Sequence, residues 1–244
     1  MIVIVIPARL ASTRLEKKLL LDLGGRSILE STYRQASKSK LATKVCVATD
    51  SQEIFDLVKS FQGEVFMTSP HHVSGTDRIA ELAKKAHDWQ IVVNVQGDEP
   101  FINPDDIDSA IEVFLHNPLA QIASLYHFID QPELINNPNN VKVVTDLNSQ
   151  ALYFSRLPIP YLRDPLNPAP REPYKKHIGL YAYKKEILLA LSRLPESNLE
   201  RQEKLEQLRA LENGFKITMV RAKSAPIGID TYEDYQKALN LIRS

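Results

Sequence analysis

Five consecutive apolar residues, Ile2-Val-Ile-Val-Ile6, stand at the start of the chain, and a strand with no polar alternates is stable only when both of its faces are covered. Lys44–Ala48, Glu64–Met67 and Gln90–Val95 are further short β-branched runs, and segments of helical period separate them. Ser27-Ile-Leu-Glu30 is a capping box ahead of the first helix. Ile54, Leu57, Val58 and Phe61 fall on one face of a second. Ser74-Gly-Thr-Asp77 opens a third, with Ile79, Leu82, Ala83 and Ala86 as its apolar stripe. Asn103-Pro104 gives a fourth its N-cap and first-turn proline. This succession predicts an α/β fold, a Rossmann-like, doubly wound, mainly parallel sheet with helices on both faces. Ligands of such sheets sit beyond the carboxyl ends of the strands, which singles out the loops 7–18, 68–78 and 96–100.

The pattern changes after about residue 118. Gln121–His127, Val141–Asp146, Ala151–Ser155, His177–Tyr183 and Phe215–Val220 read as strands, and six of the 15 prolines crowd into Leu157–Pro173. Helices are expected at Lys184–Arg193 and Glu203–Glu212, the latter stopped by Gly214, and Thr231-Tyr-Glu-Asp234 boxes a last one. With no repeat or polar linker, residues 1–244 read as one domain, in which 118–185 form a smaller inserted part.

Composition removes several functions. The 244 residues are 43% hydrophobic, too rich in core formers for a disordered chain. A single Cys46 excludes an internal disulfide and any multi-cysteine metal site, and it fits the reducing cytoplasm. The apolar run before Pro7 is too short for a signal peptide or a membrane span. Thirty Lys and Arg balance thirty Asp and Glu, which leaves no global attraction to nucleic acid or anionic lipid. The eight glycines compose neither G-x-G-x-x-G nor G-x-x-x-x-G-K-[ST], so fingerprint dinucleotide and P-loop sites are absent. No G-x-S-x-G elbow, H-E-x-x-H or Cys–His pairing supports a hydrolase.

The loop after the first strand carries Arg9, Arg14, Lys17 and Lys18 where a doubly wound sheet binds its ligand. Guanidinium forks match phosphoryl oxygens, so a phosphate site and a solvated basic loop are the two readings. Gln96-Gly-Asp98-Glu99-Pro100 places carboxylates on the same crevice. Carboxylates beside a phosphate repel it unless a cation such as Mg2+ intervenes, and a turn cap is the alternative. His71 and His72 are adjacent and diverge, while His87 and His116 lie on helix surfaces or ends, so these four read as structural or solvated. His177 heads a strand beside the Pro-rich loop and faces a pocket.

The stretches IPARLASTR (6–14), ATD (48–50), SGTDR (74–78), VNVQGDEP (93–100), VKVV (141–144), ALYFSR (151–156), HIGLY (177–181), LEQLR (205–209) and GIDT (228–231) closely resemble, in order and from end to end, the CMP-Kdo synthetase family. These are the 3-deoxy-manno-octulosonate cytidylyltransferases, with the nucleotide-diphospho-sugar transferase type of fold. The resemblance implies transfer of CMP from CTP to Kdo with release of pyrophosphate, dependent on Mg2+, by a cytoplasmic homodimer serving lipopolysaccharide synthesis. It implies neither a nucleic-acid partner nor membrane insertion. It assigns Arg9, Arg14 and Lys18 to the triphosphate, Ala8, Ser74, Gly75 and Arg78 to the cytosine pocket, and Ser12 to the nucleotide. Asp98 and Asp230 would hold the metal; Gln96, Arg156, His177, Tyr181, Glu206 and Gln207 would line the sugar pocket, with Arg156 meeting the sugar carboxylate. Cytidylyltransferases for an 8-amino Kdo analogue or a sialic acid, and a catalytically silent nucleotide-sugar binding protein, are the alternatives. One departure stands out: the family loop runs Ser-Thr-Arg-Leu-Pro-Gly-Lys-Pro-Leu, and here it is Ser12-Thr-Arg-Leu-Glu16-Lys17-Lys18-Leu-Leu20. Ungapped alignment puts Lys18 on the family lysine. In an extended loop neighbouring side chains diverge, so Lys18 and not Lys17 is expected to face the phosphates.

Overall fold

The apolar run at the start is strand β1 (Ile2–Ala8), parallel to β2 (Lys44–Thr49) on one side and to β4 (Ile91–Asn94) on the other; β3 (Val65–Met67) continues the sheet beyond β2. The computed structural model describes residues 1–12, 15–163, 173–225 and 227–243. Alternate residues of β1 enter different cores. Ile4 and Ile6 pack with Leu29 of α1 (Ile28–Ala36), Val58 of α2 (Gln52–Ser60) and Ile111 of α4 (Pro104–His116). Val3 and Val5 pack on the opposite face with Ile79 and Ala83 of α3 (Gly75–Lys85). All four β1 side chains are fully buried. Each contributes roughly 1.5–3 kcal/mol by leaving water, which is why the strand carries no polar alternate.

The caps read from the sequence set the helix starts. Ser27 Oγ accepts from Glu30 N, Ser74 Oγ from Asp77 N, and Asn103 Oδ1 from Asp105 N. The second half completes the same sheet. Strands β5 (Ile122–Phe128), β8 (Lys175–Lys184) and β9 (Ile217–Arg221) extend it to the order β3-β2-β1-β4-β8-β5-β9. On that path β8 alone runs against the others, antiparallel to both β4 and β5. The hairpin β6 (Lys142–Thr145) and β7 (Ala151–Ser155) lies off the path, joined to β8 through β6.

Helix α5 (Lys185–Leu191) follows β8. The helix expected over Glu203–Glu212 forms only from its fifth residue, as α7 (Gln207–Glu212), and a separate α6 (Asn198–Glu203) precedes it. Lys204, at φ 53° and ψ 48°, breaks them. A left-handed residue cannot continue an α-helix, and the reversal starts α7 beside the sheet's carboxyl end. The closing helix α8 (Tyr232–Arg243) is fixed by Thr231 and Asp234, whose side chains and backbone N–H groups bond reciprocally. Among the described residues no helix is long and apolar enough to cross a membrane.

Candidate active site

Beyond β1 the chain turns through residues 15–17 into a single 3-10 turn, Lys18–Leu20. Lys17, at φ 46° and ψ 34°, is left-handed, and its Nζ donates to Glu53 at 2.9 Å. The turn thereby sends Lys17 and the exposed Glu16 outward and Lys18 inward, where the residue is 8% exposed. The loop is thus turned, not extended. Lys18 Nζ donates to Asp98 Oδ2 at 2.5 Å and to Asp230 Oδ1 at 3.0 Å. These carboxylates come from the end of β4 and from the segment after β9, and Ile229 N donates to Asp98 O at 3.0 Å, which fixes the two segments side by side.

A cavity of about 420 Å³ opens over this cluster, lined also by Ala8, Arg9, Ser12, His72, Ser74, Gly75 and Arg78. Gly75 packs closely: a Cβ there would lie 3.2 Å from Pro7 Cγ, a contact that asks the β1 loop to give by a few tenths of an ångström. The Arg78 guanidinium is turned into the protein, donating to Asp50 Oδ2 at 2.7 Å and to Thr68 Oγ1, so it ties the loops after β2 and β3 together. Glu99, next to Asp98, differs from it in kind. Burial pushes its carboxyl up to about 8, with the negative charges of Asp98 and Asp230 adding and Lys176 opposing. Its Oε2 has no hydrogen-bond partner among the described residues. Burial thus disfavours the charged form of Glu99, and the protonated form is a poor cation ligand.

A second cavity of about 270 Å³ adjoins the first, and the two share Gly75, Gln96 and Glu206 in their walls. Strand β8 supplies one side: His177, Gly179, Tyr181 and Tyr183 face it at the two-residue period of a strand. The start of α7 supplies the other, with Glu206, Gln207 and Arg209. Burial drives the His177 imidazole down to about 3, so it is neutral, and its Nε2 meets Ser124 Oγ at 3.0 Å. Burial raises Tyr181 and Glu206 as well. The Tyr181 hydroxyl is buried without a partner among the described residues. Such a group in a cavity wall is available to a ligand. Ser74 Oγ donates to Glu206 Oε1 at 3.3 Å across the junction of the two cavities.

Most of the residues singled out in the sequence therefore converge. Arg14 lies outside the described residues. Arg156 lines neither cavity. Its guanidinium donates to the carbonyls of Pro138, Glu203 and Lys204, and its own carbonyl accepts from the fully buried Lys142. The cation in the wall of the second cavity is Arg209, held by Glu200 at 2.6 and 2.8 Å. His72, read from sequence as structural or solvated, lines the first cavity. The signal for it was its place two residues before the Ser74 cap, at the carboxyl end of the sheet.

Among the described residues no three His, Cys, Asp or Glu are arranged to hold a metal. Two carboxylate oxygens nevertheless converge on one cation, the Lys18 ammonium, and Mg2+ commonly takes one or two carboxylates and completes its shell with phosphate oxygens and water. The donor set fits an ion that arrives with a phosphate ligand.

The chain matches the family model described as Cytidylyltransferase over residues 3–217. It is 49% identical over 237 residues to the 3-deoxy-manno-octulosonate cytidylyltransferase of Chloroherpeton thalassium, spanning 96% of this chain and 95% of that protein. It is 46% identical over 244 residues to the enzyme of that name from Chlorobaculum tepidum, spanning 99% and 97%. A solved structure of CMP:2-keto-3-deoxy-manno-octonic acid synthetase complexed with CTP superposes with a TM-score of 0.92 at 39% identity, covering 99% of this chain and 98% of that one.

Proposed function

Because the chain belongs to the cytidylyltransferase family, we propose that it transfers CMP from CTP to the anomeric hydroxyl of Kdo, releasing pyrophosphate and activating the sugar for lipopolysaccharide biosynthesis. The observation that carries the reading is the pair of adjoining cavities, one basic with two carboxylates on a common cation, the other lined by apolar side chains together with His177, Tyr181, Glu206, Gln207 and the Arg209 cation. An attacking hydroxyl in the second cavity has a short path to a phosphorus in the first, and holding two reactants in line supplies much of the acceleration of such a transfer.

Arg9, Arg14 and Lys18 bind the triphosphate, and Lys18 carries its ammonium where the charge of the departing pyrophosphate grows. Asp98 and Asp230 would hold Mg2+, which when bound neutralises phosphoryl oxygens and orients the leaving group. Ala8, Ser12, Ser74, Gly75 and Arg78 shape the nucleotide end, Arg78 by fixing its loops. Gln96, His177, Tyr181, Glu206 and Gln207 address the sugar hydroxyls. Arg156 serves this cavity from behind, since the carbonyls it holds belong to the break that leads into Glu206 and Gln207.

The active form is a homodimer paired through residues 118–185, where Leu152, Leu157 and Tyr161 are exposed by more than half of their surface. Light scattering should give twice the chain mass, and a monomer at micromolar concentration would remove this part of the reading. The reaction itself is tested by pyrophosphate release with CTP and Kdo. Turnover is expected with CTP, weaker with UTP, absent in EDTA and absent with sialic acid. Full turnover in EDTA, or none with Kdo, overturns the proposal.

A further inference from the structure

Lys142 is completely buried, a state that lysine almost never adopts unless its ammonium is met inside the protein. Its Nζ donates to Arg156 O at 2.5 Å, to Asn140 O at 2.6 Å and to Asn137 O at 3.2 Å. Three carbonyls match the three N–H bonds of an ammonium. Folding alone does not call for a cation here, since an apolar side chain of similar length would fill the same space without the cost of desolvation. What the ammonium adds is direction, three bonds that fix where those carbonyls lie.

The carbonyls belong to the segment ahead of β6 and to the end of β7, and from these the two walls of the second cavity are braced. On the β8 side, His177 N donates to Val141 O at 2.8 Å, and the His177 ring packs edge-on against Phe154 with 5.0 Å between centroids. On the α7 side, Arg156 donates through Nε to Glu203 O at 2.7 Å and through Nη2 to Lys204 O at 3.2 Å. Its backbone N–H donates to Glu203 Oε2 at 3.0 Å. Glu206 and Gln207 follow directly on this break. Arg156 Nη1 returns to Pro138 O at 3.0 Å, in the segment that Lys142 holds, so the contacts close into a ring.

We infer that Lys142 is a positioning residue for the sugar substrate, setting the separation between the β8 and α7 walls of the second cavity. This deepens the proposed cytidylyl transfer and rests on it. Lys142 lines neither cavity, so it acts only through the groups it holds. The phosphate end of the first cavity is built by other contacts, those of Lys18 with Asp98 and Asp230, and stands apart from the ring. Loss of the ammonium should therefore be felt by the sugar and not by the nucleotide.

The test compares wild type with Lys142→Met and Lys142→Gln, by steady-state kinetics in Kdo and in CTP and by calorimetric titration with CTP in the absence of sugar. Lys142→Met keeps the length of the side chain and removes every donor. Its KM for Kdo should rise about tenfold, the effect of a substrate seated less than about 1 Å out of place, while CTP affinity is unchanged and kcat at saturating Kdo falls by less than KM rises. Lys142→Gln keeps a donating end on a shorter stem and should shift KM for Kdo in the same direction. An unchanged KM for Kdo in Lys142→Met, or equal losses toward Kdo and CTP, would make the lysine a general prop of the fold and overturn the inference. If Lys142→Met fails to fold, an unchanged KM for Kdo in Lys142→Gln overturns it alone. Absence of wild-type turnover with CTP and Kdo would instead strike the function proposed above.

Discussion

Lys18 Nζ lies 2.5 Å from Asp98 Oδ2, and the same ammonium reaches Asp230 at 3.0 Å, so one cation joins the loop after β1 to the end of β4 and to the segment after β9. Its neighbour Lys17 points away to Glu53. Adjacent lysines thus have unlike environments, one 10% and the other 48% exposed at the side chain.

Lys18→Ala should lower kcat/KM by more than tenfold, over ~1.4 kcal/mol, and Lys17→Ala by much less. Steady-state kinetics on the two variants decide between them. The reverse ranking would mean that the phosphates are met by the outward face of the turn.

Asp98→Asn and Asp230→Asn keep the shape of each side chain and remove a charge that a hard cation needs. Each should reduce turnover by at least about a hundredfold with an unchanged circular dichroism spectrum. Retained kcat with a lowered Tm would show the carboxylates to be structural.

Lys17 has a left-handed backbone at the position where the family pattern carries Gly. Lys17→Gly removes a penalty of about 1–2 kcal/mol and gives up an exposed ion pair worth about 0–1 kcal/mol. After the extra chain entropy of glycine is set against these, the net change should lie within about 1 kcal/mol of zero, so the urea midpoint should stay close to that of wild type. A clear drop in midpoint would mean that the Glu53 contact holds the turn.

His177 titrates near 6.5 in an unfolded chain and at about 3 in the folded one. Between those values the unfolded state binds a proton that the native state refuses, so this group's stabilisation is intact above pH 6.5 and is lost as the pH falls toward 3. Melting temperatures recorded from pH 7 to pH 4 should fall less steeply for His177→Gln than for wild type. Parallel curves would show that the imidazole takes up its proton in the native state.

The doubly wound half was legible because its signals are local. An apolar strand followed by a capped amphipathic helix needs no distant partner to be recognised, and Ser27, Ser74 and Asn103 cap where the sequence places them. What escaped depends on contacts across the chain. The break at Lys204 has no breaker residue, and Arg156 is drawn off by carbonyls of Pro138, Glu203 and Lys204 that no spacing reveals. His72 looked idle because its partner Glu81 stands on a helix, and only the fold brings the two together over the cavity.

Asp230 follows the last strand of the sheet, β9, and is secured by α8, whose Tyr235 hydroxyl donates to Asp22 O near the start of the chain. A polypeptide emerging from the ribosome therefore has every strand in hand before its second carboxylate appears. Chemical competence arrives last, with docking of the final helix, so a chain cut after Arg221 would keep the sheet's full complement of strands and still lack half of the anionic pair.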